Sequence, residues 1–124
     1  MEIVIVRQEP KPWGIDGRLS IGRQYLCDTV EHPRHHLPEG DYIITSLSAG
    51  SASPLSAAAH SEGNLPFPFR HGDGALASLH GEIIVGKQLL PGVVTASQAT
   101  YDRLYERLKK AFQRGNTIRL RIIG

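Results

Sequence analysis

Apolar and polar positions change period several times along this chain, and each change predicts an element. Glu2–Arg7 is a β-branched run, apolar on both faces, which predicts a central strand. Pro10, Pro12, Gly14 and Gly17 then interrupt regular structure. Residues 18–21 and 24–30 flank Gly22-Arg23 and predict a β-hairpin. Residues 31–39 form a His- and Pro-rich loop, and Gly40-Asp41 leads into a strand over 42–47. Residues 48–63 are small and polar and predict a mobile surface loop. Residues 65–70 are extended, because Pro66 and Pro68 forbid a helix and suit an edge position. Residues 82–86 predict a short strand.

A helical period appears once, over residues 97–114. Tyr101, Leu104, Tyr105, Leu108, Ala111 and Phe112 recur at i, i+3, i+4 and i+7, which predicts one buried stripe. Asp102, Arg103, Glu106, Arg107, Lys109 and Lys110 make the wet face. Ser97 is the expected cap of the first turn, and Gly115 the residue that ends the helix with positive φ. Residues 117–123 alternate, with Ile118, Leu120 and Ile122 on one side and Arg119 and Arg121 on the other. Six or seven strands and one late helix predict a single mainly-β domain over 1–124. Its sheet, or partly closed barrel, should be mainly antiparallel with the helix packed on it.

Composition narrows the function classes. The chain has 124 residues, enough for one core, and its net charge of +2 comes from cations spread along the sequence. The densest basic stretches fall on the polar sides of the helix and the last strand, so no nucleic-acid partner is expected. No apolar run approaches the ~20 residues of a membrane span, and the start lacks a leader pattern. These features predict a soluble protein of a reducing, cytoplasmic compartment, with no membrane partner. Cys27 is the one cysteine, so neither an internal disulfide nor a Cys-based zinc site can form. Its strand position predicts a buried thiol and not a nucleophile.

The candidate chemistry lies in LPFPFRHGDGALASLHGEIIVGK. His71 closes an apolar segment, a Gly-rich stretch follows, and Glu82 opens the next apolar run. A carboxylate facing an imidazole fixes its tautomer and can help it activate water. His71 and Glu82 are therefore the candidate catalytic pair. Gly72, Asp73, Ser78, His80 and Gly81 are candidate substrate-binding residues beside it, and Gly72, Gly74 and Gly81 would let a ligand approach the backbone. The competing reading is a loop ion pair with no chemistry. His71, Asp73, His80 and Glu82 are also acceptable zinc ligands, as are Glu31, His32, His35 and His36. No H-E-x-x-H spacing supports a metal, and none is assigned; no cofactor is expected either. GDG lacks the strand–GxxxxGK–helix context of a phosphate loop. Trp13 and Tyr25 could contact a ligand, although core or hairpin packing is the simpler role.

An ordered series of short motifs carries a resemblance. Arg18-Leu19, Cys27-Asp28-Thr29-Val30-Glu31, Leu37-Pro38-Glu39-Gly40-Asp41-Tyr42, Arg70-His71 and Gly81-Glu82-Ile83-Ile84-Val85-Gly86 follow one another from Gly17 to the helix. The series resembles an uncharacterised domain family of phages and bacteria, which in turn resembles L,D-transpeptidases. In those enzymes a cysteine takes an acyl group from a peptidoglycan stem peptide, and a histidine is its base. The resemblance places His71 at the histidine and Gly81 before the cysteine, while Glu82 stands where the cysteine would be. A carboxylate is a poor substitute for a thiolate attacking a carbonyl. The resemblance thus implies a phage-type, L,D-transpeptidase-like domain that binds or processes a cell-wall peptide or glycan without cysteine transpeptidase activity. Reaching the wall would then require lysis or a secretion partner. The alternatives are a structural or interaction domain that keeps only the fold, and a metal- or Glu/His-dependent hydrolase.

Overall fold

The computed structural model describes residues 1–47, 63–72 and 81–124. The loop expected over 48–63 falls outside the described residues except for Gly63, and Asp73, Ser78 and His80 fall outside them altogether. Among the described residues nine strands build one sheet: β1 (Glu2–Arg7), β2 (Ile15–Ile21), β3 (Gln24–Glu31), β4 (Gly40–Ile44), β5 (Asn64–Leu65), β6 (Phe69–Arg70), β7 (Ile83–Leu90), β8 (Val93–Thr95) and β9 (Ile118–Ile123). One helix, α1 (Ser97–Gln113), precedes β9. The mainly-β class with one late helix is as the patterning predicts.

The sheet order is β5-β4-β9-β1-β2-β3-β7-β6, with β8 paired to β7. Eight strands laid flat would span roughly 34 Å at 4.8 Å per step. Yet β5 and β6, at opposite edges, are joined through Pro66, Phe67 and Pro68 alone. Four residue steps reach at most about 14 Å, so the two edges must approach and the sheet must curl. The result is a half-barrel with the segment 64–70 running between its edges. Both prolines sit where no ladder donor is needed.

The sheet is mainly antiparallel, as expected, but mixed and not purely so. β1 pairs with β9, β4 with β5 and β6 with β7 in parallel. The β1–β9 pairing follows from α1, which returns the chain so that its last strand lies alongside its first. Two strands were under-read. β2 starts at Ile15, and β7 continues to Leu90, turns at Pro91-Gly92 and returns as β8. Gly92 has φ +80, and a Cβ there would stand 2.4 Å from Cδ1 of Trp13, so the turn and the ring together demand glycine.

Alternation divides the sheet into two faces. Ile3, Ile5, Leu19, Ile21, Cys27, Ile83, Val85, Ile118, Leu120 and Ile122 face inward and pack with Leu104, Leu108 and Ala111 of α1. At ~1.5–3 kcal/mol per fully buried aliphatic side chain, this cluster is the main stabilising mass of the domain. Cys27 is buried within it, as its strand position implied. Phe112, expected in the buried stripe, is 40% exposed, because Ala111 takes the inward position in that turn. On the opposite face β8 folds back, with Val30, Ile84 and Val94 forming a small second cluster. Among the described residues no element packs on that outer face over β4, β9 and β1.

Candidate functional site

The two charged strand residues at core positions are partners. Arg7 and Glu31 end the inward-facing series of β1 and β3, respectively. Nε of Arg7 donates to Oε2 of Glu31 at 2.8 Å, and an η-nitrogen donates to Oε1 at 2.6 Å and to the Leu37 carbonyl at 2.6 Å. The side chain spans the width of β2 at the level where β2 carries Gly17, which is paired with Arg7 on one side and Thr29 on the other. A Cβ at Gly17 would stand 2.6 Å from Oγ1 of Thr29. That Thr29 hydroxyl is buried and has no hydrogen-bond partner. The bond to Leu37 holds the start of the chain that reaches β4, and the Tyr42 hydroxyl donates to the Pro38 carbonyl at 2.5 Å.

The His-rich loop follows directly. Nδ1 of His32 accepts from the amides of Arg34 at 3.0 Å and His35 at 2.9 Å. Nδ1 of His36 lies 3.0 Å from the His32 carbonyl, and the His32 and His35 rings are 4.5 Å apart. These contacts fold the loop on itself. Within it Glu31 spends both oxygens on Arg7, and His32 spends Nδ1 on backbone. Among the described residues no group of three or more His, Cys, Asp or Glu is arranged to hold a metal ion.

The loop carbonyl of His35 accepts from the Gly81 amide at 2.9 Å, which fixes the entry to β7. Gly81 is buried with φ +102, so here it shapes a turn. Glu82 follows it. In the parallel β6–β7 register Phe69 lies opposite Ile83 and Arg70 opposite Ile84. Glu82 is therefore level with Pro68, and His71 lies three residues further along. Three strand steps are about 10 Å. Alternation also separates them: Phe69, two residues before His71, faces the main core, whereas Ile84, two residues after Glu82, belongs to the small outer cluster. No hydrogen bond or ion pair between His71 and Glu82 occurs among the described residues. The register does not bring the candidate pair together.

His71 instead belongs with the helix. Its exposed ring meets Tyr101 edge-on, with centroids 5.1 Å apart. Tyr101 continues a row of rings, 5.8 Å from Phe67 and 6.2 Å from Tyr105, with Phe67 also 5.6 Å from Tyr105. The Tyr101–Tyr105 pair is stacked and the others are edge-to-face, and such pairs add ~0.5–1.5 kcal/mol each beyond area burial. Burial first, then the neighbouring Tyr105 and Asp102, pushes the Tyr101 hydroxyl above the usual tyrosine range. Gly72 has open space where a Cβ would point, and its amide donates to Oγ of Ser97 at 3.0 Å.

Ser97 does not cap the helix, contrary to expectation. The residue before the helix is Ala96, in the left-handed region at φ 52, and no side chain caps the first turn. A left-handed alanine costs about 1 kcal/mol. Ser97 is the first helical residue, and its buried hydroxyl donates to the Val85 carbonyl at 2.6 Å while accepting from Gly72. One hydroxyl thus fastens the end of β6, the middle of β7 and the start of α1. The signal for Arg7 and Glu31 was available in the sequence: each is a charge at core parity in an apolar strand. Tyr101 was legible only as a stripe residue, because its partner His71 lies on another element.

Trp13 and Tyr25 are fixed by local contacts. Nε1 of Trp13 lies 3.3 Å from a carboxylate oxygen of Asp16, whose other oxygen accepts from the Gly92 amide at 2.9 Å. The Arg18 guanidinium stacks 4.6 Å from the Tyr25 ring centroid, and the Tyr25 hydroxyl donates to Asp28 at 2.9 Å. Burial pushes the Cys27 thiol up to about 12, with Asp28 adding to the shift. A thiol so held is neither ionised nor accessible near neutral pH. No family model, curated protein or solved structure matches this chain.

Proposed function

We propose that this domain binds a cell-wall peptide or glycan strand through the His71–Tyr101 side of the half-barrel and performs no acyl transfer. The ordered motifs of the L,D-transpeptidase resemblance motivate the ligand class. The offset between His71 and Glu82 carries the loss of chemistry. Two groups about 10 Å out of step on opposite faces do not act as a base and its orienting partner. The thiol offers no replacement, since Cys27 is buried with its pKa pushed up to about 12. What supports binding is a half-buried aromatic row ending in an exposed imidazole, beside an unobstructed Gly72. Aromatic rings of this kind supply apolar contact at low conformational cost, with polar tips for orientation.

The test is sedimentation with purified peptidoglycan sacculi, paired with a turnover assay on a soluble muropeptide. The expected outcome is saturable co-sedimentation of the wild-type protein, weakened severalfold in Tyr101→Ala and less in His71→Ala, with no product formed. Turnover abolished by His71→Ala would return the protein to the hydrolases. Absence of both binding and turnover would leave a structural or interaction domain.

A further inference from the structure

The outer face holds a cleft of about 290 Å³ over β4, β9 and β1, lined by Glu2, Asp41, Ile43, Gly63, Arg119 and Arg121. We propose that this cleft is a binding site for a zwitterion of dipeptide size, with its carboxylate on the arginines and its ammonium on the acids. The site is remote from the His71–Tyr101 side, and the proposal does not rest on the wall-binding reading.

The argument starts from register. Arg119 and Arg121 are two residues apart on β9, so both side chains leave the same face. Asp41 lies directly across from Arg121 on β4, and Glu2 across from Arg119 on β1. These two cross-strand pairs behave differently. Asp41 accepts from Nε of Arg121 at 2.9 Å. Glu2 and Arg119, although neighbours across the parallel ladder, form no ion pair, and Glu2 acts on Arg121 through space without a bond to it. Arg121 keeps its η-nitrogens uncommitted, because its bond to Asp41 is through Nε alone.

The cleft is thus walled by two cations and two anions, of which only Arg121 and Asp41 share a bond among the described residues, with the apolar Ile43 on β4 opposite Arg119. A ligand of one sign would meet repulsion from half of the wall. A ligand with both signs a few ångströms apart satisfies all of it. A guanidinium fork matches a carboxylate, and a carboxylate accepts readily from an ammonium. The volume also decides the size. A liquid water occupies about 30 Å³, so the cleft holds the volume of roughly ten waters, below the range of drug-sized sites and suited to a dipeptide. Because the residues are exposed, the expected affinity is millimolar.

The test uses alanyl-alanine as the probe, followed by amide chemical shifts of the whole protein. The expected result is saturable shifts at Ile43, Gly63 and Arg119, at least fivefold weaker binding in Arg119→Gln and in Glu2→Gln, and loss of binding for N-acetyl-alanyl-alanine amide. The variants' spectra report folding directly. Shifts that grow linearly with probe, equal affinity for the doubly blocked peptide, or unchanged affinity in both variants would overturn the proposal.

Discussion

Among the described residues two Arg–carboxylate pairs share the same chemistry, and their settings could hardly differ more. Arg7–Glu31 lies inside the half-barrel, with side chains 5% and 0% exposed, two bonds between the partners and a third to the Leu37 carbonyl. Arg121–Asp41 lies on the outer face, with side chains 51% and 75% exposed and a single bond. The buried pair has no water to fall back on, so each charge depends on the other. The exposed pair loses little when parted, which leaves it available to a ligand. Burial, and not the ion pair itself, separates a structural element from an adaptable one.

Breaking the buried pair is the largest effect expected. Glu31→Ala leaves the Arg7 guanidinium buried beside one carbonyl, and should cost about 3–5 kcal/mol in denaturant unfolding. The double replacement Arg7→Met with Glu31→Leu removes both charges and should recover most of that loss. If the double variant is as unstable as Glu31→Ala, the bond to Leu37, and not charge burial, is what matters.

Cys27 carries the comparison to a titratable group. Its pKa rises from 9.0 to about 12 in the folded protein, so the folded state holds the proton more tightly than the unfolded chain. Stability from this group is complete below pH 9 and is lost as pH rises towards 12, by up to a few kcal/mol. The wild type should therefore lose stability more steeply than Cys27→Ala between pH 9 and 10.5. At pH 8 the thiol should react with a disulfide reagent only after denaturant is added.

How much of this was legible follows from which signals are local. Strand parity, the helical stripe and the Gly115 terminus are written in neighbouring residues. The helix does end there with φ +76 at Gly115 and an Asn116 amide bonded to the Ala111 carbonyl. The short β8 was missed because its cue, Pro91-Gly92, is brief and Leu89 and Leu90 are exposed. The offset of His71 from Glu82 was hidden for a different reason. Sequence spacing does not contain the β6–β7 register, which is set by Pro68 accepting from the Ile83 amide at 2.8 Å. Ser97 was misread because its partners, Gly72 and Val85, are distant in sequence.

That fastening suggests the next effect in size. Ser97→Ala removes the acceptor of the Gly72 amide and the donor to Val85, and should cost about 1–2 kcal/mol. Amide exchange should speed up most at Gly72, because β6 is only two residues long and has little else to hold it. Uniform acceleration across α1 would mean that the hydroxyl serves the helix alone. Thr29→Val works in the opposite direction. It replaces an unpartnered buried hydroxyl with a methyl of the same shape, and should stabilise by about 1 kcal/mol.

Parting the exposed pair should do the least. Asp41→Asn leaves Arg121 in water, where the hydration of the guanidinium replaces the lost bond. The midpoint of denaturant unfolding should be unchanged within error, at low and at physiological salt alike. A salt-dependent loss at low ionic strength would show that Asp41, Glu2 and the two arginines act as one network instead of separate solvated charges. In that case the outer face has an electrostatic structure of its own. The difference between the two pairs would then be one of degree, with the outer face held partly by the charges that wall its cleft.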